Sequence, residues 1–423
     1  MNHKQFLIDS FHAAVAAADP SQLVASHLPA PPKGKTLVVG AGKAAASMAR
    51  AVELAWPPDA PLEGIVVTRY AHGMPTERIR VVEASHPVPD TAGEIAAAEI
   101  LARTSALAPD DRLIVLVSGG GSSLLSLPVP AVSMTDLRAL TKDLLKSGAP
   151  ITEMNIVRKH LSRIQGGQLA AACKAPVTTL IVSDVAGDEP SAIASGPTCA
   201  DASTFGDALD ILQRFGVTAP AAIAAYLQEG AKGKVAETPK PGSPVFSSVN
   251  NLIIATAHQS LQAAAQFFRA HDITPVVLGD TVTGEASEVA KVYAALVREI
   301  RSHGQPFKPP VALISGGECT VTVRGNGRGG RCAEFLISLA VELDGMPDVY
   351  ALAADTDGID GTEDNAGAVL LPDSQSRASV LGVDAAKNLA DNDGYRYFAA
   401  LDDLVVTGPT RTNVNDYRVI LIL

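Results

Sequence analysis

Two glycine-rich segments hold residues suited to an anion. Gly40-Ala41-Gly42-Lys43-Ala44-Ala45 fits the pattern G-x-G-x-x-G/A, between an apolar run at 36–39 and an alanine-rich stretch over 43–55. Glycine lets the backbone approach a pyrophosphate there, and the opening turn of a helix offers unpaired N–H groups. Lys43 adds a cation and reads as a phosphate contact; the plainer alternative is a tight turn with an exposed lysine. The segment is not a Walker A loop, because Leu37 stands where its first glycine belongs and Ala44 replaces its Ser/Thr. A nicotinamide dinucleotide is a weaker fit. The next apolar run, 64–68, leads into Arg69 and Tyr70, with no acid for a ribose hydroxyl, although an arginine suits a 2′-phosphate. The second segment is Ser118, Gly119, Gly120, Gly121, Ser122 and Ser123. Three glycines allow successive N–H groups to form an anion nest, and two serines add hydroxyl donors where the next helix starts.

Charged residues cluster in four more places. The stretch 155–163 reads as a helix that sets Lys159 and Arg163 on one face, four residues apart, as a carboxylate or phosphate clamp or as a solvated surface. His160 within it reads as structural. Arg328 and Arg331 stand among four glycines at 325–331, a flexible loop able to close over a transferring phosphate. Asp184, Asp188 and Glu189 follow the apolar run 177–182, and Ala194-Ser-Gly-Pro-Thr198 comes soon after. Carboxylates at a strand's exit suit metal coordination or general-base work. Asp355-Thr-Asp357-Gly-Ile-Asp360-Gly-Thr-Glu363-Asp364 is densely acidic but not an EF-hand, since Asp360 occupies its glycine position. Asp355 and Asp357 offer hard oxygens to Mg²⁺ carried by a nucleotide. The exit at Ser315, with Gly316, Gly317 and Glu318, echoes the exit at Ser118. Two phosphate-facing loops, or two ordinary glycine-bearing strand ends, account equally for that echo.

Strands and helices alternate in support of these loops. Apolar runs at 36–39, 64–68, 112–117 and 177–182 are continuous rather than alternating, so they read as strands covered on both faces of a mostly parallel, doubly wound sheet of Rossmann-like type. Prolines and glycines crowd 237–244, which places a domain boundary there: an N-terminal domain over 1–240 and a smaller α/β domain over 245–423. The second series comprises strands at 249–255, 274–278, 311–315, 349–354 and 417–423. The last run is free to pair in either domain and to pack back on the first. Residues 6–15 read as an amphipathic helix.

At 423 residues the chain is long enough for two cores. A net charge of −11 offers no footprint for nucleic acid, so an anionic substrate needs a local basic pocket. Cys173, Cys199, Cys319 and Cys332 lack metal spacing and read as small buried residues. Neither a secretory leader nor a bilayer-spanning run is recognisable, which points to the cytoplasm and away from a membrane.

Taken together the segments resemble the glycerate 2-kinase family, whose C-terminal part is known by its M-O-F-R-L motif. The resemblance covers nearly the whole chain: V-V-G-A-G-K-A at 38–44, S-G-G-G-S-S at 118–123, M-N-I-V-R-K-H-L-S at 154–162, S-D-V-A-G-D at 183–188, A-S-G-P-T at 194–198, I-S-G-G-E at 314–318, D-T-D-G-I-D-G at 355–361 and T-G-P-T-R-T-N-V-N-D at 407–416. It implies a two-domain α/β protein with ATP and substrate in an interdomain cleft. The implied reaction passes the γ-phosphoryl of ATP, with Mg²⁺, to the 2-hydroxyl of D-glycerate. Lys43, Arg328 and Asp355 match the family's proposed active site, and Asn413 joins the substrate and nucleotide contacts. One departure stands out: the family's G-G-R-N-Q-E is here Gly329-Gly-Arg-Cys332-Ala333-Glu334, which removes two amides. Two other readings stay open: NAD(P)H-dependent hydroxypyruvate reductase, a label some relatives carry, and a non-enzymatic small-molecule-binding protein. The partners expected are glycerate and a nucleotide, with homo-oligomerisation left open.

Overall fold

The computed structural model describes residues 2–423, which form two compact units. One is Pro20–Ile254; the other joins the chain up to Asp19 with Ala255–Leu423.

In the first unit six strands form one sheet: β1 Thr36–Ala41, β2 Leu62–Arg69, β3 Ile79–Ala84, β4 Arg112–Val117, β5 Val177–Val182 and β6 Val249–Ala255. Their order is β3-β2-β1-β4-β5-β6, and the neighbours from β3 to β5 are parallel. Every residue of β1 and β5 is buried, as their unbroken apolar runs require. Leu37, Val39 and Ala41 alternate onto one face with Leu113, Val115 and Val117, where Ala96, Ala97 and Ile100 of the helix Thr91–Ser105 cover them. Asp90 caps that helix, accepting from Gly93 N at 3.0 Å. A separate helical layer packs Leu140, Leu144, Val157, Leu212, Ile223 and Leu227 together.

Strands of the second unit are β7 Thr274–Gly279, β8 Gly284–Glu285, β9 Val311–Gly317, β10 Cys319–Thr320, β11 Val349–Asp355, β12 Gly367–Leu370, β13 Leu404–Val405 and β14 Asp416–Ile422. Six form a mixed sheet ordered β13-β12-β11-β14-β9-β7, while β8 and β10 pair separately. The terminal strand β14 lies between β11 and β9, antiparallel to both. It therefore pairs in the second unit and does not return to the first.

The chain divides elsewhere than its composition suggests. Val249–Ala255 closes the first sheet instead of opening the second series. The Pro/Gly stretch near 240 is tied into the first unit by its side chains. Glu237 accepts from Phe205 N at 2.9 Å, and Thr238 Oγ1 donates to Asp201 Oδ2 at 3.0 Å. Such anchoring makes it a packed loop rather than a linker. The N-terminal helix His3–Ala16 also changes unit: Phe6, Leu7, Phe11 and Ala14 pack with Leu261, Leu352 and Tyr417.

Candidate active site

In a parallel sheet of this order the chain reverses its winding between β1 and β4, and the crevice outside their carboxyl ends is the usual ligand position. Both glycine-rich segments are the loops that leave those two strands. Lys43 N donates to Gly119 O at 2.8 Å, and Ala44 N donates to Ser118 Oγ at 3.0 Å. Gly42 has φ of 141°, and a side chain on it would strike Ser118. Gly120 has φ of 80°; a Cβ there would stand 3.1 Å from His86 Nε2 and 3.6 Å from the Lys43 side chain. Glycine at these two positions keeps the loops close to each other and to a ligand. The helix Ala45–Ala55 begins two residues after Lys43, leaving the lysine in the turn.

Two further residues enter this end of the sheet. His86, which no motif singles out, adjoins Gly120 and Lys43. Ser195 belongs to a run of three left-handed residues, Ala194, Ser195 and Gly196, with φ of 49°, 58° and 56°. Left-handed Ala and Ser are costly and persist only where surrounding structure enforces them. The run sets Ser195 Oγ 2.9 Å from Ser122 Oγ, joining the A-S-G-P-T and S-G-G-G-S-S segments. Asp184 follows β5, one strand further along the same edge, and is half-buried; Asp188 sits in a left-handed turn with φ of 54°.

Lys159 and Arg163 do not form a clamp on one helical face. The helix ends at His160, and Arg163 is exposed beyond it. Ser162 Oγ accepts from Ile164 N and Gln165 N, a local turn that competes with continued helix. Lys159 is buried and pairs with Asp201 Oδ1 at 3.6 Å. His160 is structural, its ring lying 2.9 Å from Ile156 O and 3.1 Å from Glu237.

The second unit gathers its charges through strand register. Asp416, which opens β14, lies opposite Asp355 at the end of β11 and Gly317 at the end of β9. Arg331, first residue of the helix Arg331–Leu343, bridges the group: Nη2 to Asp355 at 2.6 Å, Nε to Asp416 at 2.7 Å and Nη1 to Glu318 at 3.1 Å. Burial works against the charged guanidinium, but Asp416, Asp355 and Glu318 outweigh it and hold the Arg331 pKa well above its ordinary value. Asp357 is buried and accepts from Ile359 N at 2.8 Å; Asn413 is buried and accepts from Asn415 N at 3.3 Å. Gly316 and Gly317 prolong β9 to the edge of this cluster.

Arg328, expected with Asp355 in the active site, forms its ion pair outside that cluster. It is largely exposed, pairs with Glu363 and stacks its guanidinium 4.3 Å from the Tyr395 ring centre. The arginine bonded to Asp355 is Arg331, which also meets Asp416. Asp360 is a helix anchor: its carboxylate accepts from Cys332 N at 3.0 Å and Ala333 N at 2.8 Å, and burial raises its pKa to about 6 despite those bonds. The Cys332 and Ala333 side chains point into the core, so only their backbones make polar contacts here. Burial also lifts Glu334 to about 7, although Asn392 donates to it at 3.1 Å. No group of three or more His, Cys, Asp or Glu side chains among the described residues forms a ready metal cage.

Fold and loops thus define a class: an α/β protein with glycine-rich loops at the switch point of a dinucleotide-fold sheet, joined to a second, mixed-sheet unit. Residues 6–228 match the family described as "Domain of unknown function (DUF4147)", and residues 311–416 match the MOFRL family. A protein of Agrobacterium vitis named as a hydroxypyruvate reductase is 50% identical over 99% of this chain and 94% of its own length. The glycerate 2-kinase of Pyrococcus horikoshii is 38% identical over 92% of this chain and 88% of its own, and the D-glycerate 2-kinase of Thermotoga maritima 36% identical over 99% and 98%. A crystal structure of a Thermotoga maritima glycerate kinase superposes with a TM-score of 0.88 at 35% identity, covering 99% of both chains. The chain belongs to the glycerate 2-kinase family.

Proposed function

We propose that this protein transfers the γ-phosphoryl group of ATP to the 2-hydroxyl of D-glycerate, forming 2-phosphoglycerate and ADP. The observation that carries the reading is the meeting of two glycine loops and Lys43 at the switch point of the first sheet. N–H groups of the Ser118–Ser123 loop cradle phosphate oxygens, those of Gly42, Lys43 and Ala44 being spent on bonds within the fold, and the Lys43 side chain offsets the phosphate charge. The Ser122 and Ser195 hydroxyls add donors beside them. In the second unit Arg331 is suited to neutralise charge on a transferring phosphoryl, and Asp355 to accept the hydroxyl proton. Asp355 and Asp357 have the hard oxygens to hold Mg²⁺ arriving with the nucleotide, which would supply further charge neutralisation. The four cysteines are free, which suits a reducing compartment such as the cytoplasm.

Holding the carboxylate close to the γ-phosphate presents the adjacent 2-hydroxyl, not the 3-hydroxyl one carbon further out. ADP formation with D-glycerate, followed by coupling to enolase alone, tests both points. Phosphoenolpyruvate should form without phosphoglycerate mutase; a strict need for the mutase would mean the 3-phosphate is made. The second reading, reduction of hydroxypyruvate, has the G-x-G-x-x-A loop and the Agrobacterium relative's name in its favour. Against it, β2 ends in Arg69, with no acid for a ribose. NADPH oxidation with hydroxypyruvate, absent from a preparation that turns over ATP, excludes it.

A further inference from the structure

Arg158 lies in the last turn of the helix Ile151–His160. Its guanidinium donates from Nη1 to Asn155 Oδ1 at 3.3 Å, and no carboxylate lies within ion-pairing distance among the described residues. Its neighbour Lys159, by contrast, is paired with Asp201, and Arg331 with Asp355 and Asp416. A half-buried guanidinium without a counter-ion is costly unless an anion joins it. Burial lowers its pKa, yet a guanidinium stays charged at any ordinary pH.

The surroundings are built for such an anion. Arg158 lines a small, partly open pocket with Ser122, Ser123, Ser126, Ser162 and Gln165. Ser123 Oγ donates to Gly120 O, Ser126 Oγ to Ser122 O and Gln165 Nε2 to Ser122 O and Leu125 O, which leaves the Ser122 and Ser162 hydroxyls for a ligand. Ser122 and Ser123 belong to the glycine loop that follows β4, and Pro87 places the His86 loop on the same wall. Ser162 accepts two backbone N–H bonds, at 3.2 and 3.1 Å, and keeps its own proton to donate. The enclosed space is about 10 Å³, room for roughly one water-sized oxygen. One oxygen of a carboxylate can lodge there, with its second oxygen at the pocket mouth beside the guanidinium. A guanidinium also matches a carboxylate in two-pronged geometry.

We infer that Arg158 and the hydroxyls around it form the subsite for the carboxylate of a small hydroxy acid. This rests on the phosphoryl-transfer reading, which sets phosphates on the other side of the same loop. The arrangement fixes the acid's carboxyl end at Arg158, Ser122 and Ser162 and leaves its hydroxyls toward Lys43 and Gly120. It also gives the pocket its selectivity: a polyol of the same length, lacking the carboxylate, has no partner for Arg158.

The test is D-glycerate binding by calorimetry without nucleotide, together with KM values for glycerate and ATP, in wild type, Arg158→Met and Arg158→Lys. Arg158→Met should weaken glycerate binding about 10- to 100-fold, the range of a lost charge-assisted pair, and leave the KM for ATP within about threefold. Arg158→Lys keeps the charge but loses the fork, so its affinity should fall between the other two; it also serves if the methionine variant fails to fold. Unchanged glycerate affinity in a variant that melts like wild type overturns the proposal. A rise in the KM for ATP with glycerate binding intact overturns it too, reassigning Arg158 to the nucleotide. If wild type forms no ADP with glycerate, the kinase reading fails on its own. Binding of D-glycerate, L-lactate and tartronate then decides the subsite: loss in Arg158→Met supports it, and no binding by wild type ends it.

Discussion

The two units arrange their charged and polar groups in opposite ways. In the first, side chains are removed: glycines let two loops close on each other through backbone bonds, and Lys43 stands in the turn between them. In the second, opposite charges are packed together, with Arg331 set among Asp355, Asp416 and Glu318 and Arg418 also on Asp416. The loops keep their backbone bonds when the Lys43 side chain is cut away. A buried ionic cluster does not tolerate an absent member. Mutations should therefore separate function from stability in the first unit and join them in the second.

Arg331→Met offers the sharpest contrast. It takes one buried counter-ion from both Asp355 and Asp416, leaving Asp416 with Arg418, so turnover should fall by about a thousandfold or more and the protein should lose roughly 3 kcal/mol. Denaturant melts and kinetics on the same preparation check both; a stable, inactive variant would break the proposed coupling. Lys43→Ala should lower kcat about 100- to 1,000-fold and cost less than about 1 kcal/mol of stability. Loss of fold in that variant would erase the contrast between the units.

Glu334 sharpens the comparison through pH. Its folded pKa of about 7 lies above the ordinary 4.5, so the unfolded chain gives up this proton first as pH rises. The group therefore subtracts stability progressively between about pH 4.5 and 7, by on the order of 2–3 kcal/mol at the upper end. Glu334→Gln should flatten that part of the stability profile, read as the difference from wild type. Parallel profiles would show that the carboxyl titrates normally. Gly120→Ala should reduce activity about tenfold and stability by about 1–2 kcal/mol, because alanine must adopt a left-handed φ against His86. Arg328→Ala, on an exposed ion pair, should change turnover by less than about threefold. A large loss there would restore Arg328 to the mechanism.

Local chemistry was readable in the chain and long-range geometry was not. The glycine loops announced themselves because a strand, a turn and a helix start are all encoded within a dozen neighbouring residues. The buried strands were equally plain from their unbroken apolar runs. Which of Arg328 and Arg331 bonds Asp355 was hidden, since both stand among the same glycines. It is decided by β14, whose register delivers Asp416 beside Asp355 from 61 positions along the chain. The Lys159–Arg163 clamp failed for a local reason: the helix ends at His160, three residues before Arg163, where the Ser162 hydroxyl caps a turn instead. His86 carries no motif, and only the fold brings it to Gly120. The proline-rich stretch near 240 misled because composition does not reveal that Glu237 and Thr238 are anchored.

The N-terminal helix has a consequence for how the protein is made. Its apolar face, with Phe6, Leu7, Phe11 and Ala14, finds its resting place against strands β11 and β14 and the helix Ala257–Arg269. On a ribosome those first residues emerge roughly 400 residues before β14 does, a wait of about 20–80 s at common elongation rates. During that interval Pro20–Ile254 has its whole sheet and core available, while the greasy helix ahead of it has nowhere to dock. Synthesis order thus leaves one exposed handle on a nascent chain, the sort of surface that chaperones hold, and makes completion of the second unit the event that puts it away.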